Sequence, residues 1–219
     1  MYDPRYRRLL AETIYETLCW TWRPHGCRSS KRTDYLHRRF EEVVLRVVAE
    51  KLQKSYSYGH EVSIPTHGNG KFKVDIAATS DDASLVAFLL KLVGSSYNKN
   101  RFNYANTEKG ETSRVLSRDA KKRKVSSVNI LPVRLPRFGQ TLKVETLNKY
   151  NMDYYYNEQL SPPLSGRAQG DVLYFKIAED VLEAESRPEM LERLLNRGPS
   201  AITLVNYDAF MKGIEKIMS

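Results

Sequence analysis

HEVSIPTHGNGKFKVDIAATSDDASLVAFLLKLV, residues 60–93, decides the fold. Two turn signals, HGNG (67–70) and SDDA (80–83), divide it into three apolar runs at 61–64, 71–79 and 84–93. Val, Ile, Phe and Leu fill the runs, which predicts strands covered on both faces, and the tight turns between them predict antiparallel neighbours. Two charged residues interrupt the pattern, Asp75 in KFKVDIAAT and Lys91 in SLVAFLLKLV. A charge inside a buried strand is costly unless it is paired or coordinates something. Side chains alternate along a strand, so Leu85, Ala87, Leu89 and Lys91 share one face of the third run. If the second and third strands pair, the Asp75 carboxylate and the Lys91 ammonium converge, either as a simple ion pair or as part of a site.

Upstream, residues 3–19 repeat Leu9, Leu10, Ile14 and Leu18 at helical spacing, and WRPHGCRSSKR (22–32) is a loop by its Pro, Gly and Ser content. A second helix is predicted from Thr33, a suitable N-cap, with Leu36, Phe40, Val43, Val44, Val47 and Val48 as its apolar stripe. Glu41 sits at the edge of that stripe. Downstream, SSYNKNRFNYANTEKGETSRVLSRDAKKRK passes from a polar loop into a helix over about 103–119, and KVSSVNILPVRLP is a fourth strand. A helical crossover between the third and fourth strands predicts a parallel closing pair. Beyond Pro136 the pattern mixes a short helix, a Tyr-rich segment with Tyr154, Tyr155 and Tyr156, a Pro/Ser/Gly loop and another strand. A helix broken near Pro188 (Glu179–Asn196) and a closing helix (Tyr207–Met218) follow.

This order predicts an α/β fold with a three-layer core, a mixed central sheet flanked by helices. The expected division is an N-terminal helix and loop (1–32), an α/β core (33–136) and a C-terminal extension completing the domain (137–219).

With 219 residues, 41% of them hydrophobic, the chain is long enough for one substantial core. No apolar run approaches the roughly 18 residues of a membrane span. The N-terminus lacks the apolar region of a signal peptide. Cys19 and Cys27 make neither a disulfide framework nor a zinc site, and His25, His37, His60 and His67 lie apart without ligand spacing. A cytoplasmic protein without membrane association is the expectation. A net charge of +9 and an isoelectric point near 9.4 favour a polyanionic partner. Basic residues cluster at Arg5–Arg8, Arg28–Arg32, Lys99–Arg101, Arg114–Lys124 and Arg134–Arg137, mostly among Tyr, Asn and Ser, a mixture suited to phosphate contact.

An acid on one core strand and a lysine ending the next, flanked by helices, resembles the PD-(D/E)xK nuclease superfamily, which includes the type II restriction endonucleases. Val74-Asp75 stands where that family has Pro-Asp, and Leu89-Leu90-Lys91 where it has acid-x-Lys. SSYNKNRFNYANTEKGETSRVL is similar to an Asn/Arg-rich loop of restriction-like nucleases that leads into a helix with Gly-Glu-x-x-Arg. The resemblance covers residues 33–135 and implies a restriction-endonuclease-like core, prokaryotic or phage-encoded, that hydrolyses phosphodiester bonds of double-stranded DNA. It also implies Mg²⁺, with Mn²⁺ as a possible substitute, no nucleotide cofactor, and a homodimer acting on a short palindrome.

One carboxylate is a poor magnesium site, and Leu89 removes the usual second one. The resemblance implies that this acid has migrated to the following helix, with Glu111 the leading candidate and Glu108 the alternative. Glu41, from the first core helix, is a further candidate metal ligand. Asp75, Lys91 and Glu111 are thus the expected catalytic residues, and Asp75, Glu111 and Glu41 the expected metal ligands. Tyr97, Asn98, Lys99, Asn100, Arg101, Asn103 and Arg114 are the expected DNA contacts, since Asn and Arg read base edges and Lys holds phosphate. Leu89 also supports a competing expectation, a DNA-binding protein on the same fold that has lost catalysis. A phage or repair nuclease of the same superfamily, and an RNA nuclease, complete the alternatives.

Overall fold

The computed structural model describes residues 2–23, 29–94, 110–117, 122–149 and 167–219. The first helix, α1 (Pro4–Trp22), starts with the Asp3 side chain accepting the Arg5 N–H at 2.8 Å and with Pro4 in its first turn. Its buried Leu10, Ile14, Leu18 and Trp22 line the core, and the Trp22 indole N–H donates to Gly94 O, pinning the exit of the third strand.

The second helical stretch is continuous through α2 (Ser29–Phe40), a π-helical turn (Glu41–Leu45) and α3 (Arg46–Leu52). It begins at Ser29, so Thr33 lies inside the helix and is not its cap. Nothing between 29 and 33 breaks a helix, since SSKRT contains neither Gly nor Pro. The π-turn carries the Arg46 N–H to Glu41 O and holds buried Val43, Val44 and Leu45 on the core face.

Six strands form one sheet in the order β1 (Tyr56–Pro65), β2 (Lys71–Ser80), β3 (Leu85–Leu92), β4 (Arg123–Pro132), β7 (Ala168–Ile177) and β8 (Ile202–Leu204). β1, β2 and β3 are antiparallel, β3–β4 and β4–β7 are parallel, and β8 returns antiparallel to β7. The antiparallel start and parallel closing pair are those read from the turns and the crossover. Residues 137–219 add β7 and β8 to this sheet.

Between β4 and β7 lies a two-stranded hairpin, β5 (Arg134–Phe138) and β6 (Val144–Lys149). The short helix expected beyond Pro136 is not found over 144–149, where the chain is the strand β6. Leu142 adopts a left-handed φ of 62°, and Gly139 N–H donates to Lys143 O, closing a turn that pairs Phe138 with Val144. The helices expected at 179–196 and 207–218 are α5 (Glu179–Leu182), α6 (Arg187–Arg197) and α7 (Tyr207–Met218). Pro188 sits in the first turn of α6, which explains the break.

Two apolar clusters cover the two faces of the sheet. The larger joins Phe40, Val44, Val48, Ile76, Phe88, Ile130, Leu173, Phe175 and Met211 under α1, α2, α3 and α7. The smaller joins Ile64, Val74, Ala77, Ala87, Leu89 and Val125 under α4 (residues 110–116), which contributes Val115 and Leu116. Helices on both faces of a mixed six-stranded sheet make a three-layer α/β arrangement. No helix among the described residues is long and apolar enough to cross a membrane.

The β1–β2 hairpin turns its faces over partway along its length. Tyr56 and Tyr58 of β1 and Ile76 and Ala78 of β2 pack on the larger core. Val62 and Ile64 of β1, with Phe72 and Val74 of β2, pack in the smaller one on the opposite side of the sheet. Strict alternation would keep residues of the same parity on one face. The reversal falls at Glu61, whose φ is +54°, and at Asp75, which lie between the paired residues His60–Ile76 and Val62–Val74.

Candidate active site

Asp75 stands where β2 parts from β3. The β2–β3 ladder runs from Thr79 opposite Leu85 to Ile76 opposite Phe88. One residue further, the Leu90 N–H donates to the Asp75 carboxylate, Oδ2, at 2.7 Å. A strand amide is thereby satisfied by a side chain, and the carboxylate is fixed by the departing strand.

On the helical side Asp75 meets His37. The His37 Nε2 lies 3.9 Å from Asp75 Oδ1, and its Nδ1 lies 3.7 Å from Glu61 Oε1. His37 is 1% exposed, and neither ring nitrogen has a hydrogen-bond partner among the described residues. Glu61 reaches this point because β1 is antiparallel to β2, with His60 opposite Ile76 and Val62 opposite Val74. Lys73 pairs with the other Glu61 oxygen, Oε2. One donor atom each from His37, Glu61 and Asp75 lies within 4.8 Å of the others, a spacing at which the three can hold a single cation.

Burial dominates the electrostatics of Asp75 and His37. It raises the Asp75 carboxyl above its ordinary range and Glu61 raises it further, while the Leu90 N–H, His37 and Lys91 act in the opposite direction. Burial also lowers the His37 imidazole below its ordinary value, although the Asp75 and Glu61 carboxylates oppose this. Burial thus favours the neutral imidazole, the form with a lone pair to offer a cation.

On the other side of Asp75, Lys91 Nζ lies 3.5 Å from Glu111 Oε2. Glu111 opens α4, and α4 is held to the sheet by Val115 and Leu116 packing on Leu89. Leu89, 4% exposed, occupies the position at which the resembling family carries an acid. Arg123 braces the same region from β4, donating to Pro65 O at 2.7 Å and Val115 O at 3.2 Å. The hydrophobic side chain that removes one carboxylate from β3 thus fastens the helix that presents another.

Lys91 and Glu111 are paired, and Asp75 is tied through the Leu90 N–H to the residue before Lys91, whose charge favours the ionised Asp75 carboxylate. Glu41 is buried, but its oxygens are occupied: Oε1 accepts from Arg46, with Nε at 2.8 Å, and Oε2 lies 2.5 Å from His60 Nε2. His37, one turn earlier on the same helix, reaches Asp75 instead. Arg114 is exposed on α4. Tyr97, Asn98, Lys99, Asn100, Arg101, Asn103, Glu108 and the Tyr154–Tyr156 run lie outside the described residues.

Sequence reasoning missed His37 and Glu61. The register of the HGNG hairpin was the available signal, because pairing across that turn sets Glu61 opposite Asp75. His37 lies three residues before Phe40 and one after Leu36, within the buried stripe, where a polar residue invites a question about its partner.

A cavity of about 410 Å³ opens at the other end of β2 and β3, lined by Lys54, Tyr56, Asp82, Lys124 and Met218 among others. Two of its lysines are engaged by backbone, Lys54 donating to Met218 O and Ser219 O and Lys124 to Ile217 O. The chemistry-bearing side chains lie around Asp75. In comparisons with models of protein families, with curated proteins and with solved structures, nothing matches this chain.

Proposed function

We propose that this protein is a divalent-metal-dependent endonuclease that hydrolyses phosphodiester bonds of double-stranded DNA, acting as a homodimer in the manner of a type II restriction enzyme. The supporting observations are the Asp75 carboxylate held by the Leu90 N–H at the fork between β2 and β3, and the pairing of Glu111 with Lys91, the next residue of β3. The order helix, three antiparallel strands, helix, parallel strand is also that of the resembling nuclease core.

The chain's residues have distinct tasks in this reading. Asp75, held at Oδ2 by the Leu90 N–H, keeps Oδ1 for a metal. Glu111 supplies the oxygen missing at Leu89 and positions the Lys91 ammonium. Lys91 orients the attacking water and offsets the negative charge that builds on the phosphate. Asp75 and Glu111 would hold a Mg²⁺ or Mn²⁺ ion, which would supply acidification of that water and stabilisation of the same charge.

Incubation of plasmid DNA with the purified protein and Mg²⁺ or Mn²⁺ tests the reading. Discrete fragments are expected from the parent chain, with loss of cleavage by roughly 100-fold or more in Lys91→Ala and Asp75→Ala, a loss typical of removed acid–base or electrostatic groups. DNA retention by both variants is expected to persist. Unchanged plasmid nicking by either variant sinks the assignment. Leu89, buried where an acid would serve, favours a second reading, a DNA-binding protein without catalysis; DNA retention with no cleavage by the parent supports that one.

A further inference from the structure

We infer that His37, Glu61 and Asp75 form a binding site for a divalent transition-metal ion of the Mn²⁺–Zn²⁺ class, with one imidazole nitrogen and two carboxylate oxygens as ligands. As the metal of a phosphodiesterase centre this site rests on the reading above, but its existence rests on geometry alone.

Four observations converge on it. The donor atoms stand within 4.8 Å of one another. His37 is buried with both ring nitrogens unpartnered among the described residues, and it faces the two carboxylates at 3.7 and 3.9 Å, beyond hydrogen-bond distance. A buried polar atom without a partner is costly, and a cation bound by one His37 nitrogen removes that cost for the nitrogen that holds it.

The carboxylates are also held for the purpose. Asp75 is anchored through Oδ2 by the Leu90 N–H and Glu61 through Oε2 by Lys73. In each case the remaining oxygen turns to His37. Outer partners that fix one atom of a ligand and leave the other to the metal are the usual support of a metal centre.

The backbone supplies the last observation. Glu61 adopts a φ of +54°, a conformation unfavourable for a residue with a side chain, at the point where the hairpin turns over. That strained conformation is retained where the three donors meet.

The donor set selects the ion. Mg²⁺ takes oxygen ligands and keeps several waters, whereas imidazole suits Zn²⁺ and its first-row neighbours, and carboxylates suit Mn²⁺. One nitrogen and two oxygens therefore rank Mg²⁺ below Mn²⁺ and Mn²⁺ below Zn²⁺.

The test is metal binding by the full chain, stripped with a chelator and titrated without DNA. Free Mn²⁺ is followed by its paramagnetic resonance signal, and Zn²⁺ and Mg²⁺ are added as competitors. One Mn²⁺ per chain is expected, displaced readily by Zn²⁺ and poorly by Mg²⁺. His37→Gln and Glu61→Gln are each expected to weaken Mn²⁺ binding by about tenfold or more. Should His37→Gln fail to fold, Glu61→Gln decides, because its side chain is 42% exposed on the edge strand. No Mn²⁺ binding, equal binding by a folded variant, or stronger competition by Mg²⁺ than by Zn²⁺ overturns the inference. Mn²⁺ held without any DNA cleavage leaves the site standing and removes the nuclease. Cleavage with no Mn²⁺ bound here does the reverse.

Discussion

Asp171 shows at the scale of a single residue how the fold accommodates a charge away from the candidate site. It lies in β7, 6% exposed, with Oδ2 accepting from the Ser126 hydroxyl and the Gln169 amide, each at 2.6 Å. Its other oxygen leaves no room on α7: a Cβ built on Gly213 would fall 2.2 Å from Asp171 Oδ1. Two donors do not fully replace water, so burial raises its carboxyl above the ordinary 3.8, against the Ser126 and Gln169 hydrogen bonds and the Lys216 charge. A folded-state value above the unfolded one means that the stability contributed by the neutral acid is complete below about pH 3.8. It is then lost as pH rises through the folded value. Asp171→Asn, which cannot ionise, is expected to lack this loss. Chemical denaturation of both proteins from pH 4 to 7 should show the stability difference moving steadily in favour of the Asn variant. Parallel curves would disprove the burial argument.

The elements around Asp75 depend on Leu89 in a way that one strand or helix alone does not reveal. Leu89 of β3, Val115 and Leu116 of α4 and Val125 of β4 form one small cluster. Removing the Leu89 side chain leaves a void between strand and helix, at a cost of about 2–5 kcal/mol for a buried leucine. Leu89→Ala is expected to lower the denaturation midpoint accordingly and to weaken any Glu111-dependent activity, because α4 loses part of the apolar cluster that seats it on the sheet. A variant with parent stability would show that α4 is held elsewhere. This dependence also marks what the sequence reveals. Asp75, Lys91 and the Glu111 helix are legible because two charges break apolar strands and the strand order follows from turn and crossover signals. His37 and Glu61 are not, because their meeting requires the hairpin to turn over at a left-handed Glu61, and no residue type announces that conformation. The β6 strand is not legible for a related reason: VETLNK is short and polar, and only pairing with β5 makes it extended.

Over the whole molecule, the charge of +9 does not translate evenly into a nucleic-acid surface. Arg123 is buried and bonded to Pro65 and Val115 carbonyls, and Lys124 donates to Ile217 O. Arg134 pairs with Glu179 and Arg137 with Glu145, so the 134–137 cluster is largely neutralised within the fold. Arg114 is different: it is exposed on α4, three residues from the Glu111 that faces Lys91. A positive side chain at that distance from the proposed centre would meet a phosphate near the one being cut, whereas Arg137 is already held by a carboxylate. Each phosphate contact releases counterions, so its loss reduces the dependence of binding on salt by about one in the logarithmic slope. Arg114→Ala is expected to weaken binding of a short duplex and to flatten that slope by about one between 50 and 200 mM salt. Arg137→Ala is expected to leave the slope as it was, and fluorescence anisotropy in a metal-free buffer measures both without cleavage. Equal losses in the two variants would mean that binding follows total charge, and the surface beside α4 would then have no special claim on DNA.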